Sequence, residues 1–222
     1  MNKIRTTIYS LLVACATGGA FAQETEGDAQ AGEKKIAMCI GCHGIPGYQA
    51  SFPEVHRVPM ISGQGARYLS LALEAYQKGD RRHPTMRGIA DSLTEQDIAD
   101  VSAYYSAHRQ SAAPVELPAK PRREPSVQVA ALLQKGACVS CHGDNFAKPI
   151  DPAYPKIAGQ HADYLYVALK SYKADKNPNL GRSNAIMAGV AKQFTNAELK
   201  AMAGYIGSLD GDLQVVPQSR FR

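Results

Sequence analysis

Cys39-Ile40-Gly41-Cys42-His43 returns later in the chain as Cys138-Val139-Ser140-Cys141-His142, and the reading of these two pentapeptides decides the fold. Both are C-x-x-C-H, the attachment signal for a c-type haem. The spacing has a physical reason. Residues three apart share one helical face, so two thiols can form thioethers with the two vinyl groups of one porphyrin. The adjacent histidine then falls beneath the iron as its proximal ligand. On this reading Cys39, Cys42, Cys138 and Cys141 bind two haems covalently, and His43 and His142 ligate their irons. A single C-x-x-C-H also fits a thioredoxin-like dithiol or half of a zinc site; two copies, each followed directly by histidine, favour haem.

Outward from the two motifs the chain repeats itself. Pro59-Met60-Ile61-Ser62-Gly63-Gln64 lies over Pro155-Lys156-Ile157-Ala158-Gly159-Gln160, and Tyr68 and Tyr76 lie over Tyr164 and Tyr172. Met86 then falls on Met187, Thr94 on Thr195 and Tyr104 on Tyr205, with the offset held between 96 and 101. The halves are therefore one duplicated unit. Each unit predicts three principal helices: one from about residue 28 or 126 into the cysteine pair, one over about 66–78 or 162–173, and one starting at Thr94 or Thr195. Thr94 with Asp97 and Thr195 with Glu198 have capping-box spacing. No stretch shows a strand period, so the fold class is all-α. Pro114, Pro118, Pro121 and Pro125 make residues 113–125 an extended linker, between a first domain over 23–112 and a second over 126–222. Units this small, with long loops, depend on a covalently held cofactor to complete the core.

The N-terminus carries an export signal. Lys3 and Arg5 precede a short apolar run that ends at Ala20-Phe21-Ala22, giving a segment 1–22 cleaved near Ala22 and a periplasmic mature protein. The run is too short to span a bilayer. Leu12-Val13-Ala14-Cys15 also resembles a lipobox, which leaves a lipid anchor at Cys15 as the alternative. Without residues 1–22 the net charge falls from +5 to +3. Residues 23–113 hold nine Lys/Arg against eleven Asp/Glu, while residues 114–222 hold fourteen against nine, so the molecule is a dipole that can steer docking. Nothing in this pattern suggests nucleic-acid binding.

Function turns on the sixth iron position. Met60, Met86, His56, His83 and His108 are the candidates in the first half, and the repeat separates them. Met60 falls on Lys156 and His83 on Asn184, so Met86 and Met187 recur as possible axial ligands, 43 and 45 residues after their histidines. Met38 and Met202 read as core. A metal-bound histidine donates its other N–H to an acceptor, and the carbonyls of Pro59 and Pro155 stand at a suitable place. Gln64, Gln160, Tyr68 and Tyr164 are further candidates around the haems; the tyrosines serve either haem edges and propionates or ordinary packing.

Two C-x-x-C-H domains, each followed by P-x-[hydrophobic]-x-G-Q, a tyrosine-bearing helix and a methionine, resemble the cytochrome c4 family of diheme class I cytochromes c. The resemblance covers nearly all of the chain after residue 22. It implies two tandem cytochrome c domains related by a pseudo-twofold axis, two c-type haems with propionates facing across the interface, and no catalysis of substrate chemistry. It also implies electron transfer from a quinol-oxidising cytochrome complex to a haem-copper terminal oxidase. Two other roles remain open: a cytochrome subunit of a periplasmic dehydrogenase, such as a sulfide-oxidising flavoprotein, and a diheme peroxidase. Residues 48–58, with Phe52, Pro53 and His56, depart from the repeat and leave the docking surface open.

Overall fold

The computed structural model describes residues 25–109, 116–174 and 177–218. The expected export segment, the lipobox cysteine and the start of the linker lie outside the described residues. The first half contains α1 (Ala29–Glu33), α2 (Ala37–His43), α3 (Ala66–Lys78), α4 (Pro84–Asp91) and α5 (Glu95–Ala107). The second repeats that order with α6 (Val127–Lys135), α7 (Val139–His142), α8 (Ala162–Ser171), α9 (Ala185–Ala191) and α10 (Asn196–Gly207). Among the described residues, sheet is confined to two-residue strands and one isolated bridge between Ser62 and Gln214. β1 (Gln49–Ala50) pairs antiparallel with β2 (His56–Arg57), and β3 (Arg81–Arg82) pairs antiparallel with β4 (Gly181–Arg182).

Each half differs from the expected three helices in two ways. The N-terminal helix is broken before the cysteine pair, at a turn around Lys34 in the first half and at Ala137, with φ of 48°, in the second. The break frees the haem-binding turn to rotate its thiols inward while α1 stays packed on α5. It also reverses the reading of Met38: with Cys39 and Cys42 facing in, the residue before them stands 49% exposed, whereas Met202 is core at 4%. The second difference is a pair of short helices, α4 and α9, which carry Met86 and Met187.

The helices that were expected form for the expected reasons. Asp97 N–H donates to Thr94 Oγ1 at 3.1 Å while Asp97 Oδ2 accepts from Thr94 N–H at 3.0 Å. Thr195 and Glu198 repeat the exchange at 3.3 and 2.7 Å. Lys35 Nζ reaches Asp97 Oδ1 at 2.7 Å and Asp100 Oδ2 at 2.6 Å, fixing the α1–α2 turn to α5. The first core gathers Ile36, Ile40, Leu69, Val101, Tyr104 and Tyr105. The second is larger, because Phe146 and Phe194 fill space around Leu132, Leu165, Leu199 and Ile206.

The halves are laced together in both directions. The β1–β2 hairpin of the first half reaches α8, where Arg57 Nε bonds Asp163 Oδ2 at 3.1 Å and Glu54 Oε2 meets Lys170 Nζ at 2.6 Å. This assigns residues 48–58, the departure from the repeat, to the contact between halves. The C-terminal segment runs back the other way: Gln214 N–H donates to Ser62 O at 3.0 Å, and Asp212 Oδ2 meets Lys156 Nζ at 2.6 Å and Arg109 Nη1 at 3.4 Å. The described part of the linker has no helix or strand and lies along the second half. There Pro118 O accepts from Asn145 Nδ2 at 3.0 Å, and Arg123 O accepts from the Tyr205 hydroxyl at 2.8 Å.

Candidate haem sites

α2 and α7 place the two C-x-x-C-H motifs at the edge of one continuous cavity of about 770 Å³ between the halves. Cys39, Cys42, His43 and Met86 line it from one side, Cys138, Cys141, His142 and Met187 from the other. All four cysteines are half-buried. The P-x-I-x-G-Q segment after each motif then does three separate jobs.

Its proline carbonyl orients the histidine. His43 Nδ1 lies 2.8 Å from Pro59 O, and His142 Nδ1 lies 3.0 Å from Pro155 O. A carbonyl can only accept, so each Nδ1 carries the proton and each Nε2 keeps a lone pair for a metal. Burial holds both imidazoles below the ordinary histidine value, opposed in part by the bond to proline. Both imidazoles are therefore neutral at physiological pH, with Nε2 able to take a metal.

Its glycine turns the chain. Gly63 and Gly159 take left-handed φ of +85° and +72°, and their N–H groups donate to Tyr105 O at 2.8 Å and Ile206 O at 3.1 Å. A Cβ on Gly63 would stand 2.5 Å from Asp212 O, and one on Gly159 3.0 Å from Leu209 O.

Its glutamine crosses to the other half. Gln64 Nε2 donates to Lys156 O at 2.9 Å while Gln64 Oε1 accepts from Lys156 N–H at 2.9 Å. Gln160 mirrors this with Met60, at 2.9 and 3.1 Å. Each glutamine thus holds the partner of its own equivalent, the isologous pattern of a twofold contact. Both glutamines line the cavity, and their amides bond the opposite loop at the interface.

Met86 and Met187 each sit in the first turn of a short helix. His83 Nδ1 accepts from Met86 N–H at 3.4 Å, and Asn184 Oδ1 accepts from Met187 N–H at 3.0 Å. Tyr68 and Tyr164 also line the cavity, each accepting from an arginine: Arg81 Nη2 at 3.2 Å and Arg182 Nη2 at 3.0 Å. These arginines are the cavity residues that sequence reasoning missed, although the register that lays Met86 on Met187 lays Arg81 on Arg182.

The other uses of C-x-x-C fit poorly. A redox dithiol needs a thiol of lowered pKa, but burial pushes Cys39 up to about 11 and raises Cys138 as well. Among the described residues no three His, Cys, Asp or Glu side chains cluster as a metal site would require. A large apolar cavity edged by paired thiols, each pair beside a neutral histidine with Nε2 free, fits covalently held haem.

The comparisons agree. The cytochrome c family model matches residues 29–107 and 126–210. Cytochrome c4 of Stutzerimonas stutzeri is 32% identical over 220 residues, spanning 94% of this chain and all of that one. A thiosulfate dehydrogenase electron acceptor from Stutzerimonas stutzeri (strain A1501) is 29% identical over 81% of this chain and 83% of its own length. The crystal structure of reduced recombinant cytochrome c4 from Pseudomonas stutzeri superposes with a TM-score of 0.57 at 28% identity, covering 83% of this chain and all of that one. Fold, paired sites and relatives converge: this chain belongs to the cytochrome c4 family, electron carriers of two tandem cytochrome c domains holding two covalently attached haems.

Proposed function

We propose that the chain carries single electrons in the periplasm from a quinol-oxidising cytochrome complex to a haem-copper terminal oxidase, with His43 and Met86 ligating one iron and His142 and Met187 the other. The units we adopt are 23–112 and 126–222, after an export segment over 1–22 and around a linker over 113–125. The observation that carries the reading is the match between the halves. Each offers the cavity one carbonyl-tied histidine and one methionine on a short capped helix. When bound, each haem supplies one iron that cycles between ferric and ferrous states, and methionine–histidine ligation favours such cycling over binding of oxygen or peroxide.

The protein's own contribution is positional. Cys39, Cys42, Cys138 and Cys141 fix the porphyrins, Pro59 and Pro155 hold the imidazole tautomers, and the apolar walls exclude water. A diheme peroxidase would need an open iron and an acid–base group beside it. His56 and His83 also line the cavity, with His56 Nδ1 held by Glu54 O at 2.8 Å and His83 Nδ1 capping α4, so the matched methionines and not these imidazoles weigh against an open iron. The match to a thiosulfate dehydrogenase electron acceptor supports a second reading, in which a periplasmic dehydrogenase is the donor.

The test is an optical spectrum of the holoprotein, oxidised and reduced, with haem counted per chain and carbon monoxide added. Two haems, a weak red-edge methionine–iron band and no response to carbon monoxide are expected. A high-spin signal or carbon monoxide binding at one haem overturns the closed-site reading. Reduction rates with a purified quinol-oxidising complex and with a thiosulfate dehydrogenase then choose between the donors.

A further inference from the structure

Arg81 and Arg182 face each other where the halves meet. β3 and β4 pair with Arg81 opposite Arg182, and these are equivalent positions of the repeat, so the molecular pseudo-twofold passes between two copies of one cation. Each guanidinium lies among tyrosines of its own half. Arg81 Cζ stands 5.1 Å from the Tyr68 ring centre and 5.8 Å from that of Tyr76. Arg182 Cζ stands 5.6 and 5.5 Å from the rings of Tyr164 and Tyr172. Both cations reach towards the Tyr68 oxygen, and their charge draws that phenol below its ordinary value although burial pushes it up.

Among the described residues, no carboxylate bonds either guanidinium. Two like charges brought together out of water repel each other and lose hydration, and phenol rings compensate only in part. Such a pair calls for an anion. The cavity they line is the one edged by both cysteine pairs, and a haem seated there brings two carboxylates of its own, the propionates.

We propose that Arg81 and Arg182 are the shared counter-cations of the haem propionates, a pair of positive charges on the molecular axis that bears on both irons at once. A cation in this place favours the ferrous state of each iron, because reduction removes one positive charge from its neighbourhood. The inference rests on haem occupying this cavity. It does not depend on which protein donates or accepts electrons, nor on methionine ligation.

The experiment is spectroelectrochemistry of the holoprotein, with each haem followed through its own NMR methyl resonances and haem counted per chain. Arg81→Met and Arg182→Met are each expected to lower both reduction potentials. Arg81→Lys is expected to leave both near wild type, as is Tyr68→Phe, which removes the hydroxyl but keeps the cation. Unchanged potentials in the Met variants overturn the proposal, as does a shift confined to the haem of the substituted half. A Lys or Phe variant that shifts as far as Arg81→Met also overturns it. If a Met variant fails to hold two haems, Arg81→Lys decides: two haems at unchanged potentials support a need for charge, and haem loss there overturns it.

Discussion

Gly63 and Gly159 show how much one residue type can settle. Both take left-handed backbone where the chain must bend from the proline that orients the histidine to the glutamine that crosses the interface. Gly63→Ala adds a strained φ and a Cβ 2.5 Å from Asp212 O, so it is expected to cost about 1–3 kcal/mol in urea unfolding. Gly159→Ala, with its nearest contact at 3.0 Å, is expected to cost less. Lys35 gives a second prediction at this scale. Lys35 is the main reason Asp97 sits below the ordinary carboxylate value. Asp100, which burial alone would push up, is held down by the Asp28 amide and by Lys35. Groups depressed in the folded state add stability that is complete above the unfolded carboxylate range, about pH 4, and is lost as pH falls through the folded values. Lys35→Met is therefore expected to lower the melting temperature at pH 7, with the gap to wild type narrowing below about pH 4. The haem motifs and the proline acceptors were legible at this scale, because covalent spacing and recurrence both mark them. Arg81 was not, since an arginine in a surface-looking Asp-Arg-Arg run carries no sign that it faces its own copy.

Elements follow a similar division. α3, α5, α8 and α10 are each ten residues or longer, and α5 and α10 open on capping boxes, so their sequence places them. α4 and α9 are eight and seven residues long, about two turns each, and their starts are marked by the N-caps His83 and Asn184, with Pro84 at the first position of α4. These short helices nevertheless carry Met86 and Met187. Asn184→Ala removes the 3.0 Å bond to Met187 N–H and is expected to cost about 1 kcal/mol of stability. His83→Ala, which loses a 3.4 Å bond, is expected to cost less. Urea titration of the two variants side by side checks the order; equal costs would mean that the caps are not what hold these helices. The broken N-terminal helices escaped the sequence for another reason: periodicity runs through a break that only the inward turn of the thiols requires.

For the molecule as a whole, the repeat revealed two units but not how they grip each other, because recurrence reports what the halves share and not which atoms meet. The glutamines of the G-Q motif are the clearest case, since their recurrence marks them near the cavity they line but says nothing of the opposite loop that their amides bond. Each closes a donor and an acceptor in the partner half, and each unmet backbone group costs about 1–3 kcal/mol when buried. Gln64→Ala combined with Gln160→Ala is expected to split a shared calorimetric transition into two, one per half; a single transition shifted bodily downward would mean that the hairpin and the C-terminal segment suffice. The same lacing bears on the order in which the protein comes into being. Residues 25–109 are synthesised before any of Lys156, Asp163 or Lys170 exists, so Glu54, Arg57 and Gln64 wait without their partners. During that interval the side of the cavity edged by Cys39 and Cys42 lacks the wall that Cys138, His142 and Tyr164 later supply, so the first attachment motif is less covered in the growing chain than in the finished molecule.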